Sequence, residues 1–163
     1  MRMMFWLMSL WTVLICVYTI PAFSGQGVTI RLTTTQVHYK LGRKLHLLAT
    51  LYNDSDQNII IKSDDEGRGE LDYYINGINI AGKSLFATEF GQKYYSRGDL
   101  FTPGIRRAIV LQPGQSTWSE VAIENIYKID APGTYTFDVS REIDFQSGPR
   151  SVQSNLVTVN VAP

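Results

Sequence analysis

The sequence predicts an all-β fold, an antiparallel β-sandwich of seven to nine strands. Two observations lead to this prediction. Apolar and polar residues alternate with a period of two over many short segments, which is typical of strands with one buried face. Glycine, proline, asparagine and aspartate separate these segments at short intervals, as turns do between the strands of a sandwich. Sustained helical periodicity is absent, and only residues 123–129 have the pattern of a single helical turn.

The predicted strands follow one another from residue 28 onwards. They cover residues 28–33, 37–41, 45–51, 58–62, 71–80, 106–111, 118–123, 134–140 and 157–161. Three connections have specific turn residues. The third strand ends at Asn53-Asp-Ser-Asp56, and Asn76-Gly77 predicts either a hairpin turn or a bulge within the fifth. Gln112-Pro-Gly-Gln115 predicts a type II turn with its glycine at a positive φ.

The segment from Asp130 to Ser140 is the most informative strand. A Pro-Gly corner precedes it, and Tyr135, Phe137 and Val139 then alternate with polar residues. An aspartate, a glycine and a tyrosine at a strand entrance are typical of a tyrosine corner, in which the phenol hydroxyl bonds to upstream backbone. This motif favours an immunoglobulin-like (Ig-like) topology for the sandwich.

Residues 1–24 have the pattern of a secretory signal peptide. A long apolar run follows Arg2, and the small residues Ala22 and Ser24 precede the predicted cleavage site. The alternative is an uncleaved membrane anchor, because about 20 apolar residues span a bilayer. We expect residues 25–163 to form one Ig-like domain that is secreted or periplasmic, at the cell envelope.

The composition of that domain restricts its partners. Residues 25–163 contain 14 basic and 15 acidic side chains, a net charge of −1, and no basic run. Such a balance does not favour binding to a phosphate backbone, so nucleic acid is not an expected partner. The single cysteine, Cys16, lies in the leader. The domain is therefore predicted to have no disulfide and to be held together by packing.

Two sets of motifs resemble known domains. Tyr39-Lys-Leu-Gly-Arg-Lys-Leu-His-Leu47 and Leu51-Tyr-Asn-Asp-Ser-Asp56 resemble the first half of bacterial secreted Ig-like domains. Leu111-Gln-Pro-Gly, Ala131-Pro-Gly-Thr-Tyr135 and Ser154-Asn155, before a terminal valine strand, add the second half. The whole is similar to single-domain envelope proteins of unassigned function and to Ig-like proteinase inhibitors of the bacterial intracellular type. Phe137 stands where antibody-type domains have their second core cysteine.

Residues 82–105 exceed what a minimal sandwich needs, and a connection of this length is often functional. Its aromatic residues are Phe86, Phe90, Tyr94, Tyr95 and Phe101. If exposed, they predict a binding platform for protein or sugar. The alternative is that they cover one open end of the sandwich, or that part of the segment forms an extra strand. The predicted binding contacts are Tyr94, Tyr95, Arg97 and Phe101.

Two groups of residues have some character of metal ligands. His38 and His46 are equidistant from Gly42 and would face each other across a hairpin, an arrangement that suits zinc or copper. The preferred interpretation is two solvated histidines on strands of opposite sheets. The acidic segment 64–72 matches no EF-hand, so a solvated connection is preferred there to a calcium site. No metal or other cofactor is predicted.

Catalysis has little support in the sequence. It contains no Gly-x-Ser-x-Gly elbow, no His-Glu-x-x-His motif, no glycine-rich phosphate loop and, after the leader, no cysteine. We therefore expect a secreted or periplasmic, non-enzymatic binding or structural module whose partner is an unknown protein or glycan. The alternatives are a proteinase inhibitor that acts through a projecting loop and a carbohydrate-binding module. Membrane contact is expected only through the N-terminal segment, if it is uncleaved.

Overall fold

The computed structural model describes residues 27–34, 36–64, 72–96, 106–145 and 148–163. These residues form two β-sheets around one hydrophobic core, which confirms the all-β sandwich. The smaller sheet has three antiparallel strands in the order β1-β3-β7. Its strands are β1 (Val28–Thr34), β3 (His46–Asn53) and β7 (Ser116–Ala122).

The larger sheet has seven strands, with β2-β10-β8-β4-β6 as its main path and with β5 and β9 also paired to β8. Its strands are β2 (His38–Lys40), β4 (Ile59–Asp64), β5 (Tyr74–Asn79), β6 (Arg106–Leu111), β8 (Gly133–Phe145), β9 (Gly148–Gln153) and β10 (Val157–Ala162). β2 pairs with β10 in parallel, whereas the other pairs described in this sheet are antiparallel. The described residues thus contain ten strands, and β9 is the strand that was not predicted.

The entrance of β8 confirms the predicted tyrosine corner. The hydroxyl of Tyr135 donates a hydrogen bond of 2.6 Å to the carbonyl oxygen of Ala131, four residues upstream. Tyr135, Phe137 and Val139 are all buried, as the alternation predicts. β8 is 13 residues long and pairs with β4, β5, β9 and β10, so this corner anchors the strand that organises the larger sheet.

One residue of β8 departs from the predicted alternation. Asp138 was expected on the solvent side, but it is buried. Its carboxylate accepts hydrogen bonds from the side-chain amides of Asn76, at 3.0 Å, and Gln153, at 2.8 Å. Neighbouring strands supply both amides, and these bonds compensate the carboxylate for the water that it loses on burial.

The core lies between the two sheets and consists of the inward residues of each strand. In β3, Leu47, Ala49 and Leu51 are buried while the residues between them are partly exposed. From the larger sheet, Ile61 and Phe137 are fully buried in the same cluster. Each of the larger side chains among these contributes roughly 1.5–3 kcal/mol when it leaves water, so packing between the sheets is a major source of stability.

The turn predictions had different outcomes. Gly114 has a φ of +77°, and the backbone N–H of Gln115 donates to the carbonyl of Gln112 at 3.0 Å, which confirms the predicted turn. The prediction of a turn or bulge at Asn76-Gly77 was wrong, because β5 runs straight through both residues. Gly77 is needed for a different reason: a Cβ there would lie 2.9 Å from the Cε1 atom of Phe137.

Two short helices interrupt the strands. α2 (Ile123–Ile126) confirms the single helical turn that the sequence predicts after β7. α1 (Glu89–Ser96) was not predicted. It begins after Thr88, whose hydroxyl accepts a hydrogen bond of 2.9 Å from the N–H of Gly91, and the missing side chain of Gly91 lets the carbonyl of Ile126 approach closely. Within the described ranges, no helix is both long and apolar enough to cross a membrane.

Candidate functional site

Two of the four predicted binding residues lie within the described chain, and both have a packing role. Tyr94 and Tyr95 are on α1. Tyr94 is only 8% exposed and belongs to the core. The hydroxyl of Tyr95 donates to the carbonyl oxygen of Ile75 at 2.7 Å, and burial raises the pKa of this phenol far above its usual value. Arg97 and Phe101 lie outside the described residues, so their role in binding stays a prediction.

The aromatic residues of segment 82–105 do not share one environment. Phe86 is 83% exposed, whereas Phe90 is partly covered because its ring stacks on Tyr94, with the ring centroids 6.2 Å apart. Of the four aromatic residues described there, two therefore face solvent and two face the core. The helix divides them, so these four side chains do not form a continuous exposed platform.

The two histidines lie on opposite sheets, as the preferred interpretation predicted. His38 is exposed on β2, and His46 is on β3. His46 is not simply solvated, because its Nδ1 atom lies 2.6 Å from Glu120 and its Nε2 atom lies 2.9 Å from Glu124. Partial burial disfavours the charged imidazole, but hydrogen bonds to these two carboxylates outweigh it and raise the pKa of His46 above 6.5.

The predicted acidic connection contains a buried ion pair at its end. Residues 65–71 lie outside the described chain, but Asp72 is described and is buried. Its carboxylate accepts a hydrogen bond of 2.7 Å from the hydroxyl of Ser63 and lies 3.9 Å from a guanidinium nitrogen of Arg141. The expectation that this acidic residue is solvated was wrong, because β8 supplies a buried cation that the local sequence does not show.

A cleft lies beside this ion pair, between β7 and the larger sheet. We call it the β7 cleft, and its volume is about 410 Å³. β7 forms one side because it pairs only with β3 among the described strands, which leaves its other edge open. The lining residues are Ile61, Ser63, Ile109, Thr117, Trp118, Ser119, Glu120 and Arg141. Four strands, β4, β6, β7 and β8, therefore contribute to it.

The floor of the β7 cleft contains a buried cation. Arg141 lines the cleft but is only 2% exposed, and its Nη2 atom donates a hydrogen bond to the carbonyl oxygen of Lys62. Its guanidinium carbon lies 5.1 Å from the centroid of the Tyr73 ring, which is within the range of a cation–π contact. The carboxylate of Asp72, with an oxygen 3.9 Å from a guanidinium nitrogen, balances the charge of Arg141.

The hydroxyl of Tyr73 is the unusual group behind this floor. Tyr73 is fully buried, and its hydroxyl oxygen makes no hydrogen bond with any described residue. Burial raises the pKa of the phenol, while Arg141 and Ser119 lie near enough to oppose that shift without meeting the geometry of a hydrogen bond. Both neighbours line the β7 cleft, whereas Tyr73 itself is not among the lining residues. Such a group costs stability unless something else satisfies it.

The mouth of the cleft carries Trp118, which is 68% exposed. Trp118 and Glu120 point to the outer face of the smaller sheet, whereas Thr117 and Ser119, which alternate with them, are less exposed. Opposite Trp118 on that face lies Thr50 of β3. Glu120 is held by His46, as described above. The β7 residues that border the cleft therefore lie on both faces of the strand, with the indole and Glu120 on the outer face and Thr117 and Ser119 on the other.

These residues are suited to binding and not to holding a metal. Within the described ranges, no group of three or more histidine, cysteine, aspartate or glutamate side chains is arranged for a metal ion. The cleft combines hydrogen-bond donors, acceptors and one exposed indole, so it offers both polar and aromatic groups for contact. No protein-family model matches the chain, and no curated protein matches it either.

Sequence reasoning missed Trp118 as a site residue, although one signal was present. Trp118 lies on the same face of its strand as Ser116 and Glu120, because alternate residues of a strand point to the same side. The polar neighbours indicate that this face is exposed to solvent. An apolar ring among polar neighbours on a solvent-facing side is a reason to suspect binding. The cleft itself has no local signal, because its four strands come from separate parts of the sequence.

Proposed function

We propose that this protein is an exported, non-enzymatic binding module and that its ligand binds in the β7 cleft. The observation that carries the proposal is Trp118, exposed at the mouth of a cleft whose floor is a buried arginine. Tryptophan and arginine are the residue types most enriched among strong binding contacts. The Ig-like resemblance stays part of this proposal, since such domains present binding surfaces on a rigid sandwich.

Three properties of the cleft support a ligand site. Its volume of about 410 Å³ lies within the range of roughly 300–1,000 Å³ that is usual for small-ligand sites. Its lining is built on strands, so the residues are held in place before a ligand arrives. Its lining also includes Trp118, a large aromatic residue that is mostly exposed.

The cleft supports binding better than hydrolysis. Glycoside hydrolysis needs two carboxyl groups on either side of the bond that is cleaved. Among the described lining residues, Glu120 is the one carboxylate, and Asp72 lies behind the floor against Arg141. A carboxylate held by an arginine and a serine hydroxyl is poorly placed to take or give a proton.

The exported location is proposed from residues 1–24, which lie outside the described chain. Expression of the full chain in a bacterial host, followed by mass spectrometry of the envelope fraction, tests it. The expected product begins at Gly25. Recovery of an intact N-terminus in the membrane fraction would instead support the anchor, and recovery in the cytoplasm would contradict export.

Binding is best measured through Trp118 itself. The chain has three tryptophans, and the other two, Trp6 and Trp11, lie in the predicted leader. The fluorescence difference between the protein and Trp118→Phe therefore isolates the site, whether or not the leader is removed. Titration with panels of glycans, peptides and small metabolites tests for a ligand that shifts this signal.

Two alanine variants complete the experiment. Trp118→Ala is expected to weaken binding by about tenfold or more, the usual loss at a central contact. Leu156→Ala is the control, because Leu156 is similarly exposed but does not line the cleft. Binding that survives Trp118→Ala would place the site elsewhere, for example at Arg97 and Phe101. A lack of binding across all panels would contradict the proposed function.

A further inference from the structure

We propose that the ligand of the β7 cleft is an extended polypeptide segment, which adds to the open edge of β7 as a fourth strand of the smaller sheet. This inference rests on the proposed function and names its ligand class. Four features carry it: the main-chain groups that β7 directs away from β3, the lack of edge protection on β7, the position of the lining on both faces of that strand, and the charge beside it.

The main chain of β7 presents hydrogen-bonding groups along its open edge. At one end of the β3–β7 pair, the N–H of Asn53 donates to the carbonyl of Gln115 at 2.9 Å. At the other end, the N–H of Ile123 donates to the carbonyl of Leu45 at 3.0 Å. Because bonded and non-bonded residue pairs alternate in an antiparallel ladder, the odd-numbered residues of β7 bond to β3. The even-numbered residues, whose main chains face the open edge, are Ser116, Trp118, Glu120 and Ala122.

The opposite edge of the smaller sheet is covered, unlike the edge of β7. The side-chain amide of Asn155 accepts a hydrogen bond from the N–H of Leu32 at 2.9 Å and donates one to the carbonyl of Leu32 at 3.0 Å. Ile30 of the same strand forms a bridge with Ser154. Among the described residues, no strand or bridge satisfies the outer edge of β7 in this way. The protein therefore covers one edge of this sheet and leaves the other available.

β7 also lacks the features that prevent strands from pairing at an edge. Short length and exposed charge are the usual protection. At the two ends of the main path of the larger sheet, β2 has only three residues and carries exposed Lys40, and β6 carries exposed Arg107. β7 has seven residues in a continuous register with β3, and it contains no proline, glycine, lysine or arginine. Such an edge is a template for another strand.

An added strand would contact both faces of β7, where the lining residues of the cleft lie. Successive side chains of a strand point to opposite faces, so one set would lie beside Trp118 on the outer face. The other set would point inward on the side of Thr117 and Ser119, toward the larger sheet. Ile109 faces that side but stays partly exposed, whereas Leu111 on the same face of β6 is buried. Apolar side chains at the inward positions would cover Ile109.

The charges at this edge favour a segment with a basic residue on its outer face. Glu120 is the single charged residue of β7, and it lies on that face. Its partner His46 is shared with a second carboxylate, Glu124, so the group stays negative even when the imidazole is protonated. Arg141 in the cleft floor already has Asp72 as its counter-charge. A lysine or arginine across from Glu120 would therefore be attracted, and an acidic residue would be repelled.

A second copy of this chain is less well suited to the same edge. β7 contains no cation that could lie across from Glu120. If two copies of β7 paired antiparallel about an axis near Ser119, their Glu120 side chains would be diagonal neighbours on one face of the sheet. Like charges on adjacent strands destabilise the pairing. The observations therefore favour a different polypeptide whose apolar residues alternate with neutral or basic ones.

The test uses capped peptides of about nine residues, a usual strand length, in which valine alternates with threonine and one central lysine. A second peptide has glutamate in place of the lysine. Two further peptides are N-methylated on the main chain, either at the threonines and the lysine or at the valines. Opposite residues of a strand pair share a face, so the N–H groups that bond to β7 belong to the threonines and the lysine, and those of the valines point away. The second methylated peptide is thus the matched control for the first.

The protein is purified after expression of the full chain, and binding is followed by Trp118 fluorescence, calorimetry and amide hydrogen exchange. The lysine peptide is expected to shift the fluorescence and to slow exchange at Trp118 and Glu120, whose N–H groups face the open edge. Exchange at Thr117 and Ser119 should be slow with and without peptide, because these residues bond to β3. N-methylation of the threonines and lysine should weaken binding about tenfold or more, and N-methylation of the valines less than about threefold. The glutamate peptide should bind about two- to fivefold more weakly than the lysine peptide.

Two protein variants separate the main chain of Trp118 from its indole. Trp118→Ala and Trp118→Pro both remove the ring, but only the proline removes the N–H that faces the open edge. Since this N–H does not bond to β3, an edge position of this kind tolerates proline, and far-UV circular dichroism checks the fold. Calorimetry should show Trp118→Pro binding about three- to tenfold more weakly than Trp118→Ala. Leu156→Ala is the exposed control and should bind as the unmodified protein does. The methylated peptides test the same hydrogen bonds without changing the protein.

Three results would overturn the inference, and they differ in meaning. If a glycan or a small metabolite shifts the Trp118 signal and no strand peptide does, the polypeptide assignment fails and the proposed binding function stands. If no probe of any class perturbs Trp118, both fail together. If the free protein sediments as a dimer that Trp118→Pro dissociates, a second copy occupies the edge and the assignment to another polypeptide is wrong. Peptide binding that both N-methylations weaken equally would also refute strand addition.

Discussion

Replacing Tyr73 by phenylalanine should stabilise the protein, although it removes a polar group from a residue in the core. In most proteins a buried tyrosine hydroxyl is hydrogen-bonded, and its loss destabilises the fold. Here the hydroxyl is fully buried and has no hydrogen-bond partner among the described residues. Its desolvation cost is therefore not recovered, and Tyr73→Phe removes that cost.

The magnitude follows from the environment of this hydroxyl. A buried and unsatisfied polar group costs about 1–3 kcal/mol. Two smaller effects reduce the gain: the space left by one oxygen atom and the loss of weak electrostatic contact with Arg141 and Ser119. We expect a net gain of roughly 0.5–2 kcal/mol in the free energy of unfolding. With a urea m-value of about 1–3 kcal/mol/M, the midpoint should rise by a few tenths of a molar or more.

The measurement is urea unfolding, monitored by far-UV circular dichroism. A second tyrosine, Tyr135, provides the matched control variant. Tyr135→Phe removes a hydroxyl that does have a partner, the carbonyl of Ala131 at 2.6 Å, so this variant should lose about 0.5–1.5 kcal/mol. The same chemical change thus has opposite signs at the two positions. Destabilisation by Tyr73→Phe would refute the reasoning, because it would mean that the Tyr73 hydroxyl is already satisfied.

Three further predictions concern packing, pH and the buried ion pair. Gly77→Ala should lower the free energy of unfolding by about 1–3 kcal/mol, because the added Cβ would lie 2.9 Å from a ring atom of Phe137. Gly133→Ala is the control and should change the urea midpoint little, because the nearest atom to its Cβ would be 3.7 Å away. Because Glu120 and Glu124 raise the pKa of His46, its stabilising contribution is complete below pH 6.5 and is lost as pH rises through the folded-state pKa. The difference in urea midpoint between the protein and His46→Gln should therefore be larger, in favour of the protein, at pH 5.5 than at pH 9. For this partly exposed cluster the change is equivalent to less than about 1 kcal/mol. A difference that is the same at both pH values would contradict the pairing. Arg141→Leu should lower the free energy of unfolding by about 3–5 kcal/mol, because it removes the cation that pairs with the buried Asp72. Lys62→Met, which breaks an exposed pair with Asp144, should lower it by less than about 1 kcal/mol. Equal losses of stability in thermal unfolding would show that the burial of the first pair is unimportant.

The fold was readable from the sequence where one face of a strand is buried. In β3 and β8 the inward residues alternate strictly, and the tyrosine corner adds a hydrogen bond between residues only four apart. The turn at Gly114 was also predictable, because a positive φ restricts the residue type. In each case the cause of the structure lies within a few residues of the pattern that predicts it.

The errors arose where a distant residue decides the structure. Asn76-Gly77 has the composition of a turn, but Gly77 is there because Phe137 of a neighbouring strand packs against it. α1 has eight residues and a glycine, too short to be stable by propensity alone, and it forms because Tyr94 packs into the core. Asp72 and Asp138 were expected in water because the partners Arg141, Asn76 and Gln153 are remote from them in sequence or lie on other strands.

By itself, the sequence determined the class of fold and most strand faces, since alternation and turn chemistry are local properties. The tertiary structure decided which of the aromatic residues face solvent and which polar residues meet. Tyr94 is aromatic and lies in a long connection, yet packing makes it a core residue. Trp118 lies in an ordinary strand, yet it lines, together with Arg141, a cleft that four separate strands form. Such a site depends on distances between residues far apart in the chain, and those distances exist only once the two sheets have packed.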